Sequence, residues 1–253
     1  MRRVGGSGRA CPIARCGARW GRHWLPWLAL PLAGACGLLH PDDRGGCSAA
    51  RRAERPALPL LEAPFAGGFP VMNYFDHAYP GAAEEGNGYQ LAFCGEHVAG
   101  FVDGHTGYDW AMPTGTPLVA ALAGKVVWAG LEQPFFCAAL GGEVAALVVQ
   151  IRAAAPSGQV FVVGYAHLDR IDVRVGDSVQ AGAALGTAGS TGCSTEPHLH
   201  FDVWRRVDDG GGGRFALVDP YGWQASAADP WEAHPQGTTS EWLWADGAAP
   251  GLR

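Results

Sequence analysis

Glycine and proline interrupt this sequence so often that they constrain its fold more than any other feature. The 253 residues include 38 Gly and 18 Pro, and few long stretches have the apolar spacing of an amphipathic helix. Both residues disfavour the interior of a helix but suit the tight turns that join short strands. The sequence therefore predicts a mainly β fold, with strands at 116–122, 125–129, 146–151 and 160–167.

Two later segments add to this expectation. The segment 175–186, VGDSVQAGAALG, has glycines spaced as in a β-hairpin, with Val179 and Leu185 directed into the core. The aromatic, turn-rich stretch after residue 213 is expected to pack back on the sheets, with one last strand at 240–244.

Two histidines lie two residues apart in HLHFDV at 198–203. Because side chains alternate along a strand, His198 and His200 share one face while Leu199 and Phe201 face the core. A loop of mostly small residues, GSTGCSTEP, precedes them. Two imidazoles held on one face form half of a metal site, although an isolated pair would more often be surface histidines.

A histidine and a carboxylate lie four residues apart in HTGYD at 105–109. The spacing would make His105 and Asp109 neighbours on a helix, but Gly104 and Pro113 argue against a helix here. An irregular loop that enters a strand can bring both side chains to one point, and both are ordinary zinc ligands.

Two other histidines have weaker signals. His167 follows the apolar strand 160–165, where a lone histidine is more often structural than catalytic. Asp76 and His77 lie in a Pro-, Gly- and aromatic-rich stretch at 60–99, which we call the lead-in segment. They form either a second metal pair or, as the sequence favours, a hydrogen-bonded turn.

Charge is distributed unevenly along the chain. Ten of the 18 Lys and Arg residues, but only three of the 24 Asp and Glu residues, lie in the first 55 positions. Residues 56–253 therefore carry 8 basic and 21 acidic side chains, a net charge of −13. Nucleic acid and anionic lipid bind basic surfaces, so neither is an expected partner of this body. The sequence does not indicate an oligomeric state.

Residues 1–36 have the features of an export signal. Six arginines precede an uncharged apolar stretch at 24–39, which is short for a membrane span. Within it, LAGAC ending at Cys36 resembles a bacterial lipobox, which would place a lipid anchor on Cys36; plain cleavage after the small residues is the alternative. Residues 37–59 are expected to be a flexible tether. The protein is thus predicted to be exported, to the periplasm or cell envelope.

The seven cysteines divide between the leader or tether and the folded body. Cys94, Cys137 and Cys193 lie in the body, and the other four precede residue 59. Export permits disulfides, and Cys137 is expected to pair with Cys193 in the loop before the paired histidines. Three buried free thiols are the alternative.

Three motifs in this order resemble the signature of lysostaphin-type (LytM-like, duplicated hybrid motif) zinc endopeptidases. They are HTGYD at 105–109, YAHL at 165–168 and GSTGCSTEPHLHFDV at 189–203. The resemblance implies a small antiparallel β-sandwich or barrel with a cleft as a zinc metallopeptidase domain at 100–205. C-terminal strands and a tail at 206–253 are expected to pack on it.

The resemblance also implies a set of functional residues. It places one zinc ion per chain between His105, Asp109 and His200, with His167 and His198 beside it as catalytic residues. Three protein ligands leave a position for water, as catalytic zinc sites require. The implied activity is hydrolysis of peptide bonds in peptidoglycan stem peptides or cross-bridges.

Other functions are weighed against this one. A catalytically inactive relative that regulates wall amidases would lose zinc ligands, whereas all three positions are filled here; a zinc peptidase acting on secreted proteins would keep them. A lipoyl- or biotinyl-type carrier shares the VGDxVxxG pattern but needs a lysine at a hairpin tip, and Lys125 is expected to start a strand. Glu196 stands where the family commonly has glycine, which places a carboxylate at the rim of the cleft and bears on substrate selection.

Overall fold

The computed structural model describes residues 47, 60–81, 89–100 and 102–252. Within them the chain forms fifteen strands and one short helix, and every strand pair is antiparallel. The predicted fold class, mainly β and antiparallel, is confirmed. The strands are β1 (Val71–Asn73), β2 (Tyr89–Leu91), β3 (His97–Ala99), β4 (Tyr108–Ala111), β5 (Pro117–Val119), β6 (Gly124–Leu131), β7 (Phe135–Cys137), β8 (Gly142–Val144), β9 (Leu147–Ala154), β10 (Val160–Ala166), β11 (Leu168–Ile171), β12 (Ser178–Val179), β13 (Ala184–Ala188), β14 (His198–Val207) and β15 (Arg214–Leu217), and the helix is α1 (Pro230–Ala233).

Two sheets contain most of the strands. The larger has eight, with the order β1-β4-β14-β10-β9-β6-β12 and β15 paired to β14, and the smaller has the order β11-β13-β5. β14 is ten residues long, so its first part pairs with β4 and its last part with β15. The larger sheet ends at β1 and β12. The described residues therefore form open sheets, and the closed barrel considered beside the sandwich is not found among them.

Buried side chains of both sheets meet in one hydrophobic core. Leu118 and Leu185 of the smaller sheet, and Val163 and Phe201 of the larger, are all fully buried in it. Burying one such side chain stabilises a fold by about 1.5–3 kcal/mol relative to leaving it exposed. The sheets thus pack against each other as a sandwich. The opposite face of β14 carries His198 and His200.

The predicted hairpin at 175–186 is wrong, although its burial pattern is right. Val179 and Leu185 are buried as expected, but β12 pairs with β6, whereas β13 pairs with β5 and β11. Gly182, with φ of +81°, lies in the turn that takes the chain from the larger sheet to the smaller one. The alternation of apolar residues fixes which side chains are buried but not which strand lies alongside.

The C-terminal stretch contributes buried side chains to the core, but it lacks the expected strand at 240–244. Trp242 makes an isolated bridge to Tyr221, and Trp244 makes one to Leu61. Trp244 is fully buried, and its ring lies 5.7 Å from that of Phe201 between centroids. Large indole rings anchor this stretch, so a continuous hydrogen-bond ladder is not needed to hold it.

Two disulfides cross-link the body. The predicted Cys137–Cys193 bridge is present, with 5.4 Å between the Cα atoms. Cys94 is bonded to Cys47, so the alternative of three buried free thiols is wrong. Cys47 lies in the segment predicted to be a flexible tether, so the sequence did not indicate it as the partner of Cys94. Its side chain is nevertheless buried.

The predicted signal segment, including Cys36, and the rest of the tether lie outside the described residues. Among the residues described, no helix is both long and apolar enough to cross a membrane.

Candidate active site

Three side chains that the sequence predicts as metal ligands converge on one point. β4 and β14 are neighbours in the larger sheet, and their register sets Asp109 directly opposite His200. His105 lies in the loop before β4 and reaches the same place. The Nδ1 atom of His200 lies 2.9 Å from Oδ1 of Asp109 and 3.0 Å from Nε2 of His105. The Nε2 atom of His105 also lies 3.1 Å from Oδ2 of Asp109.

This arrangement fits a metal ion. Donor atoms around a tetrahedral zinc at about 2.0–2.1 Å lie roughly 3.3 Å apart, close to the separations found here. Within the described part of the chain, His105, Asp109 and His200 are the group whose ligand atoms lie close enough to share an ion. Two imidazoles and one carboxylate suit zinc, and the side chains are largely withdrawn from solvent.

Hydrogen bonds from the lead-in segment fix two of these side chains. The Nδ1–H of His105 donates to the carbonyl of Tyr74 at 3.0 Å, which leaves the Nε2 lone pair directed into the site. The side-chain amide of Asn73 donates to Oδ2 of Asp109 at 2.7 Å. Neither contact was predicted from the sequence. The only signal was a polar asparagine within an apolar, aromatic run, VMNYF.

The far side of His200 faces two more oxygens. Its Nε2 lies 3.4 Å from the hydroxyl of Thr106 and 3.7 Å from a carboxylate oxygen of Asp202. The side chain of Asp202 is only 16% exposed. It projects over Gly164 of the neighbouring strand, whose missing side chain leaves the room for it.

The two predicted catalytic histidines lie beside the three donors. The ring of His167 lies 4.5 Å from that of His198 and 6.1 Å from that of His200, between centroids. His167 has a φ of +64°, an unusual conformation for a residue with a side chain. Its Nδ1–H donates to the carbonyl of Thr191 at 2.7 Å, and that of His198 donates to the carbonyl of Glu196 at 2.8 Å. Both rings thus have Nε2 available.

Charges within the site shift the pKa values of its members. Burial raises the pKa of Asp109, but the neighbouring His105 and His200 outweigh it and hold that pKa well below its usual range. Burial lowers the pKa of His200, yet the nearby carboxylates of Asp109 and Asp202 raise it to about 10. Burial and the two nearby imidazoles lower the pKa of His167 to about 4, so His167 is neutral at pH 7.

The loop before β14 is fixed from several sides. The Thr191 hydroxyl donates to the carbonyl of Leu168 at 2.8 Å and accepts from the amide of Leu147 at 3.0 Å. Cys193 is bonded to Cys137 at the end of β7. Glu196 is exposed on this loop. The carbonyls that orient His167 and His198 therefore belong to a well-anchored loop.

Asp76 and His77 belong to a hydrogen-bonded buried network, as the sequence favoured. Oδ1 of Asp76 accepts the amides of Ala78 and Leu91, and its Oδ2 accepts that of Gly104. The ring of His77 bonds Asp229 through Nδ1 at 2.8 Å and Asp219 through Nε2 at 3.0 Å. These contacts join the lead-in segment to the C-terminal stretch, away from the three converging donors.

Comparison with known proteins identifies the part of the chain that contains this site. The sequence profile of peptidase family M23 matches residues 103–212. This part of the chain is an M23 peptidase domain. All three motifs noted in the sequence lie in the matched M23 range, whereas β1, β2 and β3 precede it.

Individual relatives match stretches of similar length. Lysostaphin from Staphylococcus staphylolyticus is 40% identical over 97 residues, which are 38% of the chain and 18% of lysostaphin. Peptidoglycan DD-endopeptidase ShyB from Vibrio cholerae is 36% identical over 106 residues, 42% of the chain and 22% of ShyB. The solved catalytic domain of lysostaphin from Staphylococcus simulans is 32% identical with a TM-score of 0.34, covering 46% of the chain and 79% of that domain. The chain thus spans only about a fifth of the two curated relatives.

Proposed function

We propose that this chain is a zinc-dependent endopeptidase that hydrolyses peptide bonds in peptidoglycan stem peptides or cross-bridges. One observation carries the proposal: His105, Asp109 and His200 converge within an M23 domain. Three protein donors of these types suit a single zinc ion and leave it a position for water. The name of one relative, a peptidoglycan DD-endopeptidase, supports the substrate class.

The catalytic roles follow from the hydrogen bonds of the remaining histidines. A zinc ion held at the three donors would polarise the scissile carbonyl and make water acidic enough to act as a nucleophile near neutral pH. His167 and His198 donate through Nδ1 to backbone carbonyls, so a neutral ring of either has its lone pair on Nε2. Either Nε2 can accept a proton from water and return it to the leaving amine, and a protonated Nε2 can donate to the oxyanion.

We further propose that the protein acts outside the cytoplasm and that Glu196 influences substrate choice. Two disulfides favour an oxidising compartment, which supports the export predicted from the N-terminal segment. Replacing Cys36 by Ser and measuring membrane retention tests the lipid anchor. The exposed Glu196 would favour a cationic group on the peptide, and a Glu196→Gln change should reduce that preference.

Digestion of purified peptidoglycan by the purified protein, with mass spectrometry of the fragments, tests the reaction. New peptide ends are expected, and a chelator or a His105→Ala change should abolish them. His97→Ala is the matched control, because His97 is an exposed histidine on β3. Release of sugar ends, or cleavage that persists without metal, would contradict the proposed reaction. A protein that binds no zinc and cleaves nothing would instead fit the inactive regulator.

A further inference from the structure

The lead-in segment contributes a side chain that touches the metal donors. Asn73 on β1 lies opposite Asp109 in the strand register, and its Nδ2 donates to Oδ2 of Asp109 at 2.7 Å. Both residues are almost fully buried. A charge-assisted hydrogen bond in such a place is short and strongly orienting. The orientation of the Asp109 carboxylate therefore depends on the amide of Asn73.

A second buried amide sets the orientation of the first. Gln90 on β2 is fully buried, and its Nε2 donates to Oδ1 of Asn73 at 3.2 Å and to the carbonyl of Val102 at 2.6 Å. Its Oε1 accepts the amide of Tyr74 at 2.9 Å. Because the oxygen of Gln90 is held by Tyr74, its NH2 group must face Asn73. That contact in turn directs the NH2 group of Asn73 towards Asp109.

The space for Gln90 is provided by a glycine. A side-chain carbon on Gly100 would lie 2.3–2.6 Å from the terminal atoms of Gln90, closer than real atoms approach. The carbonyl of Tyr74, next to Asn73, accepts the Nδ1–H of His105. Asn73, the last residue of β1, and Tyr74, which follows it, thus support two of the three candidate metal ligands, and both precede the range that matches family M23.

We propose that Asn73 and Gln90 are positioning residues for the metal site. Gln90 fixes the amide of Asn73, and Asn73 fixes the carboxylate of Asp109 in the orientation that faces His105 and His200. This inference rests on the proposed function, since it concerns how the same donors hold zinc. Partners that orient metal ligands typically contribute about 10- to 100-fold to metal affinity.

The test is a zinc affinity measurement by competition with a chromophoric chelator. Asn73→Ala should weaken zinc binding by about 10- to 100-fold, and Gln90→Ala should weaken it in the same direction. Because Gln90 acts through Asn73, the double variant should bind zinc no more weakly than Asn73→Ala alone. Gln159→Ala is the matched control, since its amide bonds the carbonyl of Arg206 at the far end of β14.

A second measurement keeps Asn73 and Gln90 unmodified and does not depend on the Asn73 and Gln90 variants folding. The sequence contains two asparagines, Asn73 and Asn87, so selective labelling of asparagine with nitrogen-15 gives two side-chain amide signals. Asn87→Ser assigns them by elimination. Zinc should shift the Asn73 amide signal and slow the exchange of its hydrogens.

The outcomes separate the two proposals. Wild-type protein that binds zinc, with an unmoved Asn73 signal and an unchanged affinity in Asn73→Ala, overturns the positioning role alone. A double variant with additive losses overturns the role of Gln90 acting through Asn73. Wild-type protein that takes up no zinc removes the proposed function and this inference with it.

Discussion

At the scale of single residues, the histidines of the site are oriented by the nitrogen that does not face it. His105, His167 and His198 each donate Nδ1–H to a backbone carbonyl, those of Tyr74, Thr191 and Glu196. His200 has the opposite orientation, with Nδ1 facing the candidate metal site. Backbone carbonyls are fixed by the fold, so the neutral rings of His105, His167 and His198 keep their hydrogen on Nδ1 and their lone pair on Nε2.

The positions of His167 and His198 beside the three candidate metal ligands predict that activity can be lost while zinc binding is kept. His198→Ala and His167→Ala should each lower kcat by about 10²- to 10⁴-fold, because proton transfer to and from the reacting atoms would be lost. Neither removes one of the three proposed metal donors, so zinc content measured on the purified variants should stay at one ion per chain. A variant that loses its zinc together with its activity would assign that histidine to the metal instead.

His77 predicts a stability that depends on pH. Burial lowers its pKa, but hydrogen bonds and charges from Asp219 and Asp229 outweigh this and raise it from 6.5 to about 9. The folded state therefore keeps the proton where the unfolded state loses it. The stabilisation is complete below pH 6.5, declines as the pH rises, and is gone above about 9.

Urea unfolding of zinc-loaded wild type and His77→Gln across this range checks the prediction. The difference between the two proteins cancels the contributions of other groups, among them His200. It should be largest at the acid end and shrink by a few kcal/mol towards the alkaline end. A difference that is constant with pH would show that His77 is neutral in the folded protein.

At the scale of elements, the two disulfides close chain segments of similar length but lie at different positions in the fold. They close segments of 56 and 47 residues, so chain entropy gives each about 4 kcal/mol of stabilisation. Cys137–Cys193 is attached to the loop before β14, which supplies the carbonyls that orient His167 and His198. Cys47–Cys94 lies outside that loop.

Replacing each cysteine pair by serine should therefore separate stability from catalysis. Both variants should lose about 2–5 kcal/mol of unfolding free energy in denaturant titrations. Only Cys137→Ser with Cys193→Ser should also lower kcat, by about 10- to 100-fold, because displaced carbonyls would misplace the two rings proposed as catalytic. Equal kcat values in the two variants would mean that hydrogen bonds alone hold the loop.

What the sequence could predict of these elements depended on whether the information was local. Alternation along 198–203 was enough to bring His198 and His200 to one face, because that property belongs to a single strand. The partners of β12 and β13, and the bond from Cys47 to Cys94, depend on distant segments and left no local trace. The amide of Asn73 was missed for the same reason: its role appears only when β1 is aligned with β4.

At the scale of the whole molecule, the segments before and after the M23 range bond to each other and to strand β4 within that range. His77 of the lead-in segment bonds Asp219 and Asp229 of the C-terminal stretch. The hydroxyl of Tyr108, next to Asp109, also donates to Asp219 at 2.9 Å. The network that joins the lead-in segment to the C-terminal stretch therefore also anchors strand β4.

Zinc should therefore stabilise the fold as a whole. Its proposed donors come from a loop, β4 and β14, which meet only in the folded chain, so the ion binds the native state in preference to the unfolded one. Free zinc at 100 times its dissociation constant would add about 2.7 kcal/mol to the unfolding free energy. Thermal unfolding should show a Tm that rises with zinc concentration in wild type and in His97→Ala, but not in His105→Ala. A Tm that rises equally in all three would place the zinc elsewhere, because His105→Ala removes one of the three donors while His97→Ala removes none.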